Sequence, residues 1–353
     1  MISEINSRRI TSLRFILMAL VICIHNTLTA EGMEYLGVSF DEPFYSYWIK
    51  QVWSLGIAQA AVPLFFFFSA YLMRKKEDPY KVILKKKSVS LALPYFLWSF
   101  LYIMLFVVCQ NLPFTKQYFL NPDNMVLPLS IKWWFGALFG IAREHPLVYQ
   151  FWFLRDLMLL ILLYPVIRFL VSRAFYVSIL LSAAFYFSGI PNTIPGSVSV
   201  CFFVLGIASA EKDFDFFNFA DKCKWPILIL AFLGFNILTG LKLELLPVFF
   251  QLMVFCACLI LLRLSKFFVA YERLWNLLKI FAPITFFMYA LHEPIMMGLL
   301  KKTYIKIVTM QGFACLAEYV LVCFVGIFAS TAIAILFRRL FPRLFAVLSG
   351  GRK

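Results

Sequence analysis

Arg14 and His25 stand eleven residues apart in an otherwise apolar run from Leu13 to Asn26. On a helix that separation is close to three turns, so both side chains share one face, about 16 Å apart along it. A neutral imidazole can take the proton of a hydroxyl as its oxygen attacks a carbonyl. An arginine grips phosphate oxygens through paired N–H donors. Two more polar doublets interrupt apolar runs: Arg155-Asp156, and His292-Glu293 before Pro294. Glu293 or Asp156 can fix the tautomer of a basic imidazole, and Arg155 can stabilise a developing oxyanion. Together these residues suit a phosphate-bearing donor at Arg14 and a hydroxyl acceptor at His25. Each also has a plain structural reading. His25 can be a core histidine bonded to a neighbouring helix, His292 an orienting hydrogen-bond partner, and Arg155-Asp156 a pair that only locks helices. His145, before a proline, reads as solvated, and Glu244 and Glu318 as interfacial residues near helix ends.

The elements that must position these groups are membrane helices. Of the 353 residues, 63% are hydrophobic and 14% charged, with a mean hydropathy of +0.86. Apolar runs of about 20 residues recur along the chain, the length that crosses a bilayer as a helix. The net charge of +15 gathers in short segments between them: Arg8-Arg9, Arg74-Lys75-Lys76, Lys85-Lys86-Lys87, Lys212 to Lys224, and Arg338-Arg339. Such clusters face the cytoplasm and anionic lipid, so the charge does not call for nucleic acid. The expected fold is all-α: a polytopic membrane protein of about ten transmembrane helices, both termini cytoplasmic. It forms one domain over 1–353 with no separate soluble unit.

The expected spans are 13–30, 48–73, 88–110 (kinked at Pro94), 147–171, two hairpins (174–190 with 194–210, and 226–240 with 245–262), 280–299 and 313–337. Loops are expected at 74–87 and 263–279, and the Trp-rich 131–142 stretch reads as interfacial or re-entrant. On this topology His25, His292, Glu293, Arg155 and Asp156 lie at one level in the outer half of the bilayer, where opposite charges can neutralise one another. Lys301, Lys302 and Lys306 fall on the outer side, against the charge rule, and are expected to snorkel to headgroups. The eight cysteines read as small core residues without metal-ligand spacing. Nucleotide-binding glycine loops, zinc signatures and serine-nucleophile motifs are absent from the sequence.

Four blocks then carry a resemblance. Arg8-Arg9-Ile10-Thr11-Ser12-Leu13-Arg14 with His25-Asn26 resembles the opening of the acyltransferase-3 family of integral membrane acyltransferases. Phe65-Phe66-Phe67-Phe68-Ser69-Ala70-Tyr71-Leu72 is similar to its second-helix block, with Ala70 where the family has glycine. Phe151-Trp152-Phe153-Leu154-Arg155-Asp156-Leu157 is similar to its Trp-Phe-Leu block, and Thr285 to Pro294 to its Ser/Thr-x-x-x-Tyr-x-x-His-x-Pro block. The blocks keep family order and the resemblance covers 8–338.

The resemblance implies transfer of an acyl group, usually acetyl from acetyl-CoA, to hydroxyls of cell-surface polysaccharide or a lipid-linked sugar in the plasma (inner) membrane. It makes Arg14 and His25 the essential pair, with His25 as general base or transient acyl carrier. Glu293, His292, Arg155 and Asp156 are further catalytic candidates. Arg14, Ser69, Arg74, Lys75 and Lys76 are the candidates for holding coenzyme A. No permanently bound cofactor or metal is expected. The rival reading is a transporter or flippase that uses the same ions as a proton relay or anion path.

Overall fold

The computed structural model describes residues 2–35, 37–116, 125–126, 130–141, 143, 145–241 and 247–352. The protein is almost entirely helical. One parallel pairing, Phe40–Asp41 beside Met310–Gln311, is the sheet among the described residues. Among the described residues, five helices are long and apolar enough to cross a membrane: Phe44–Lys76, Tyr80–Asn111, Pro247–Ala270, Glu272–Ile307 and Phe313–Leu340. A pair bent by 93°, Phe216–Lys222 with Trp225–Gly240, makes six if counted as one span.

The first helix runs Glu4–Ile24, so it starts and stops earlier than its apolar stretch suggests. Ser3 caps its start, accepting from the Asn6 N–H, and Glu4 pairs with Arg8 one turn on, at 2.6 Å. Arg9 is buried. Its guanidinium reaches both Asp221 oxygens (2.8 and 2.9 Å), Ser265 Oγ (2.8 Å) and the Leu262 carbonyl (2.6 Å). These bonds tie the first helix to two others. Arg8, Arg9 and Arg14 break its apolar run, which keeps it out of the five.

Other boundaries move for the same physical reason: charged clusters mark a change of surroundings, not the end of a helix. The expected loop at 263–279 is helical, as Pro247–Ala270 followed by Glu272–Phe281, and the 74–87 loop contains the helix Tyr80–Lys87. Lysine and arginine are good helix formers, so a helix continues through them. One expected span is broken beside a proline and another is distorted near one. Pro165 follows the break between Trp152–Leu162 and Tyr164–Arg173. Pro94 lies just after a wide π-turn over Ser88–Ala92. The first hairpin is built of helices of 13 and 15 residues, Phe175–Phe187 and Ser197–Glu211, each short of the usual crossing length. The second hairpin's turn, with Glu244, lies outside the described residues. Glu318, expected at an interface, is fully buried.

The core surrounds the first helix and the close pair Ala61–Lys76 and Ser197–Glu211. Ala70 lies on one of these helices, and Gly206 faces it from the other. A Cβ on Gly206 would sit 2.4 Å from the Phe67 carbonyl and 2.9 Å from Ala70 Cβ. The two helices approach closely here, with the glycine on the Ser197–Glu211 helix. Gly206→Val is therefore expected to destabilise the protein by roughly 1–3 kcal/mol or more through overpacking against backbone. Thermal unfolding of the purified variant in detergent, read by loss of the monodisperse peak, measures this; a wild-type melting point would contradict the packing argument.

Candidate functional site

His25 follows the last turn of the first helix, not the middle of a span. Asn26 holds that end: its N–H reaches the Cys23 carbonyl at 3.1 Å, and its side-chain amide donates to the Tyr319 carbonyl at 3.1 Å. The half-buried His25 ring faces inward between two rings. Tyr149 meets it edge-on at 5.2 Å, with its hydroxyl 3.0 Å from Nδ1, and His292 lies 5.2 Å away on another side.

His292 is fully buried where the helix Thr285–Leu291 gives out. The next residue, Glu293, is extended (φ −130°, ψ 157°), because a residue before proline is barred from the helical region. His292 Nδ1 lies 2.8 Å from the Tyr289 carbonyl, which only accepts, so Nδ1 carries the hydrogen. Nε2 keeps the lone pair and has no partner among the described residues.

The Glu293 carboxylate neighbours the Tyr149 hydroxyl and lies 3.7 Å from Lys301 Nζ. Lys301 in turn donates to the His25 carbonyl at 2.9 Å. The Gln150 amide donates to the Glu293 carbonyl, and the Tyr289 hydroxyl to the Gln150 carbonyl. Three segments distant in sequence, around His25, Tyr149–Gln150 and Tyr289–Lys301, thus close around two imidazoles. When the Tyr149 hydroxyl donates to the Glu293 carboxylate, it accepts from His25 Nδ1–H. That leaves His25 Nε2 free to take a proton.

A cavity of about 390 Å³ approaches this cluster along the Arg14–His25 face. Met18 and Val21 of the first helix line it, opposite Phe65, Ser69, Phe153 and Tyr289. Val21 is one turn before His25, and the Tyr289 ring is 6.0 Å from that of His292. The other end is basic, with Arg14, Lys76, Lys86, Lys87 and Arg352 in the wall. The one acid in that wall among the described residues, Asp78, is held by Lys86 at 2.7 Å. Arg14, Lys76 and Lys87 have no acidic partner among the described residues. Burial and the charge of Arg14 push the Arg352 guanidinium down to about 10, which still leaves it cationic at neutral pH.

The structure therefore brings together His25, His292 and Glu293, and sets Arg14, Ser69 and Lys76 in the wall of a cavity whose lining extends toward them as far as Val21 and Tyr289. It does not do the same for four other candidates. Arg74 pairs with Glu211 (2.7 Å) and Glu77 (3.0 Å), and Lys75 with Asp213. Both cations are turned toward the end of the Ser197–Glu211 helix, where acids neutralise them.

Arg155 and Asp156 are occupied with each other and with the scaffold. Asp156 Oδ1 accepts from Arg155 Nε (3.0 Å) and Nη2 (2.9 Å), and Oδ2 from the Gly196 N–H (2.7 Å) and Ser199 Oγ (2.8 Å). Arg155 Nη1 donates to the Phe139 carbonyl at the end of the helix Ile131–Phe139. None of these bonds runs to His25 or His292. The pair joins three helices, which is its structural reading.

Tyr149, Gln150 and Lys301 are missed by sequence reasoning, as is Arg352. Lys301 does carry a signal, since on the expected topology it breaks the charge rule on the side where the histidines are placed. His145 is exposed, as expected.

Comparison with known proteins adds an identity. A curated relative, the succinoglycan biosynthesis protein ExoH of Rhizobium meliloti (strain 1021), is 26% identical over 203 residues, which cover 56% of this chain and 51% of that protein. The match thus spans about half the length of the relative. No solved structure matches the chain. Residues 8–339 match the family model described as an acyltransferase domain, nearly the whole length, and the chain belongs to the acyltransferase-3 family.

Proposed function

We propose that this membrane protein moves an acetyl group from acetyl-CoA to a hydroxyl of a cell-surface polysaccharide or its lipid-linked precursor, in the plasma (inner) membrane. The observation that carries the reading is the cavity. One end holds cations without counter-charges, as a phosphate-bearing donor needs, and the other approaches two imidazoles, as proton transfer from a hydroxyl needs. The name of the relative, which concerns biosynthesis of a polysaccharide, supports the acceptor class. On the positive-inside rule, Arg8-Arg9 and Arg338-Arg339 both face the cytoplasm. That agrees with about ten crossings, if short and bent helices count with the long ones. The basic end of the cavity then opens to the cytosolic donor, and His25 is reached by the acceptor from outside.

In the reaction, His25 Nε2 takes the acceptor's hydroxyl proton as the oxygen bonds to the thioester carbonyl carbon. The carbon–sulfur bond breaks, and the departing thiolate takes that proton back from the imidazolium. Atoms and charge balance without a further reactant. Arg14, Lys76 and Lys87 hold donor phosphates, and Ser69 lines the passage between them and the histidines. Tyr149 and Glu293 keep the His25 ring in the tautomer with Nε2 free.

Acetyl-CoA labelled in the acetyl group, given to inverted membrane vesicles that contain the protein and its acceptor glycan, tests the reading. Label covalently attached to carbohydrate is the expected result. Label that crosses the membrane without joining carbohydrate would point to transport instead. In the same assay Tyr149→Phe is expected to lower the turnover rate about 10- to 100-fold with little change in donor KM, because it removes the bridge that orients the base but not the cavity. An unchanged rate would remove Tyr149 from the mechanism.

A further inference from the structure

Arg352 reaches the cavity by a route that the donor reading does not explain. It lies beyond the short helix Pro342–Leu348, and a run of specific contacts folds the chain back from there. The Trp98 indole N–H donates to the Leu348 carbonyl at 3.0 Å. Gly350, at φ +67°, lies so close to Ser90 that a Cβ there would be 2.2 Å from the Ser90 carbonyl oxygen. That carbonyl is in the π-turn ahead of Pro94, and Pro94 has no N–H to return to it. The bent turn and the glycine together make room for a backbone crossing. Arg352 Nη1 then bonds the Ser349 carbonyl at 2.6 Å, and its guanidinium lies 4.7 Å over the Phe286 ring, another cavity residue.

The strap thus brings another cation to a wall already crowded with them. Arg352 has no carboxylate partner among the described residues, and Arg14 and Lys87 are its charged neighbours. Like charges held together by specific packing repel unless an anion joins them. An arginine on an aromatic ring also keeps its free donors in a fixed plane, the geometry that grips two phosphate oxygens at once.

Resting on the donor reading above, we propose that the 349–352 strap is a phosphate clamp, in which Arg352 closes with Arg14, Lys76 and Lys87 on a diphosphate-type anion and sets the affinity for the donor. The shared chemistry is a phosphate diester or diphosphate. Coenzyme A and an anionic lipid headgroup both carry such a group.

The test uses the whole chain in nanodiscs, with coenzyme A, inorganic pyrophosphate and pantetheine as probes. Arg352→Ala is expected to weaken coenzyme A and pyrophosphate by about tenfold or more, the loss typical of a hydrogen bond to a charged group, and to leave pantetheine unchanged. Arg352→Lys is expected to recover part of the loss and Arg352→Gln none. Both keep a long polar side chain in case the alanine variant folds poorly. Wild-type affinity for pyrophosphate in Arg352→Ala and Arg352→Gln overturns the clamp. Nanodiscs of neutral and of anionic lipid separate the two sources. If anionic lipid weakens pyrophosphate binding only while Arg352 is present, the clamp stands with a headgroup as its occupant. A clamp that binds pyrophosphate through Arg352 in a protein that transfers nothing from acetyl-CoA leaves the clamp standing and removes the donor reading.

Discussion

His25→Ala is expected to leave the protein folded and to reduce acyl transfer by about 10²- to 10⁴-fold, the range lost with a general base. Two features separate chemistry from folding here. The ring is half-buried, and its side-chain hydrogen bond is to Tyr149, whose hydroxyl keeps Glu293 as a neighbour when the ring is gone. The backbone that ends the first helix is held independently, by Asn26 on Tyr319 and by Lys301 on the His25 carbonyl. Alanine keeps both of those bonds. The variant should therefore match the wild type in expression and melting temperature while acetyl on surface glycan, measured by mass spectrometry, disappears. His292→Ala should differ. Its ring is fully buried with Nδ1 on the Tyr289 carbonyl, so its loss costs stability as well as rate. Normal glycan acetylation in cells that carry well-folded His25→Ala would refute the assignment of the base.

The Arg14–His25 axis is legible in the sequence because helical period alone fixes it. Eleven residues put two side chains on one face whatever the rest of the fold does. The meeting of His25 with His292-Glu293 is legible for a different reason: membrane depth, counted from charge clusters, puts them at one level. Depth says nothing about lateral neighbours, and there the sequence falls short. Tyr149 is one tyrosine among 16, and only the fold singles it out. Arg352 looks like one more cation in a basic run until Gly350, Trp98 and Ser90 direct it inward.

Counting depth also overreaches. It groups Arg155-Asp156 with the histidines because the expected topology gives them one level, although their bonds turn toward Phe139, Gly196 and Ser199. Helix ends are misjudged wherever charge is taken as a terminator, as at 263–279, since helices carry their charged turns out of the apolar layer. Lys301 teaches the opposite lesson. The residue that fits the topology worst joins the Glu293 carboxylate to the end of the first helix.

Asp156→Ala should have the largest effect on folding. Its two oxygens accept four hydrogen bonds, it is fully buried, and its removal strands Arg155 in the interior without a counter-charge. Breaking one side of a buried pair costs about 3–5 kcal/mol, a large fraction of what holds a protein folded. The variant should give little monodisperse protein, and the remainder should unfold at a much lower temperature. Arg155→Ala with Asp156→Ala should be less harmful than Asp156→Ala alone, because no charge is then left unpaired. Asp156→Asn keeps the shape and some of the hydrogen bonds but loses the charge, so an intermediate loss is expected. The measurement that decides is specific activity per folded molecule. If the doublet serves only to lock helices, the folded fraction of Asp156→Asn transfers acetyl at nearly the wild-type rate. If it acts on the reacting atoms, the folded fraction of Asp156→Asn loses the reaction, and the doublet then belongs to the chemistry although its hydrogen bonds turn toward Phe139, Gly196 and Ser199.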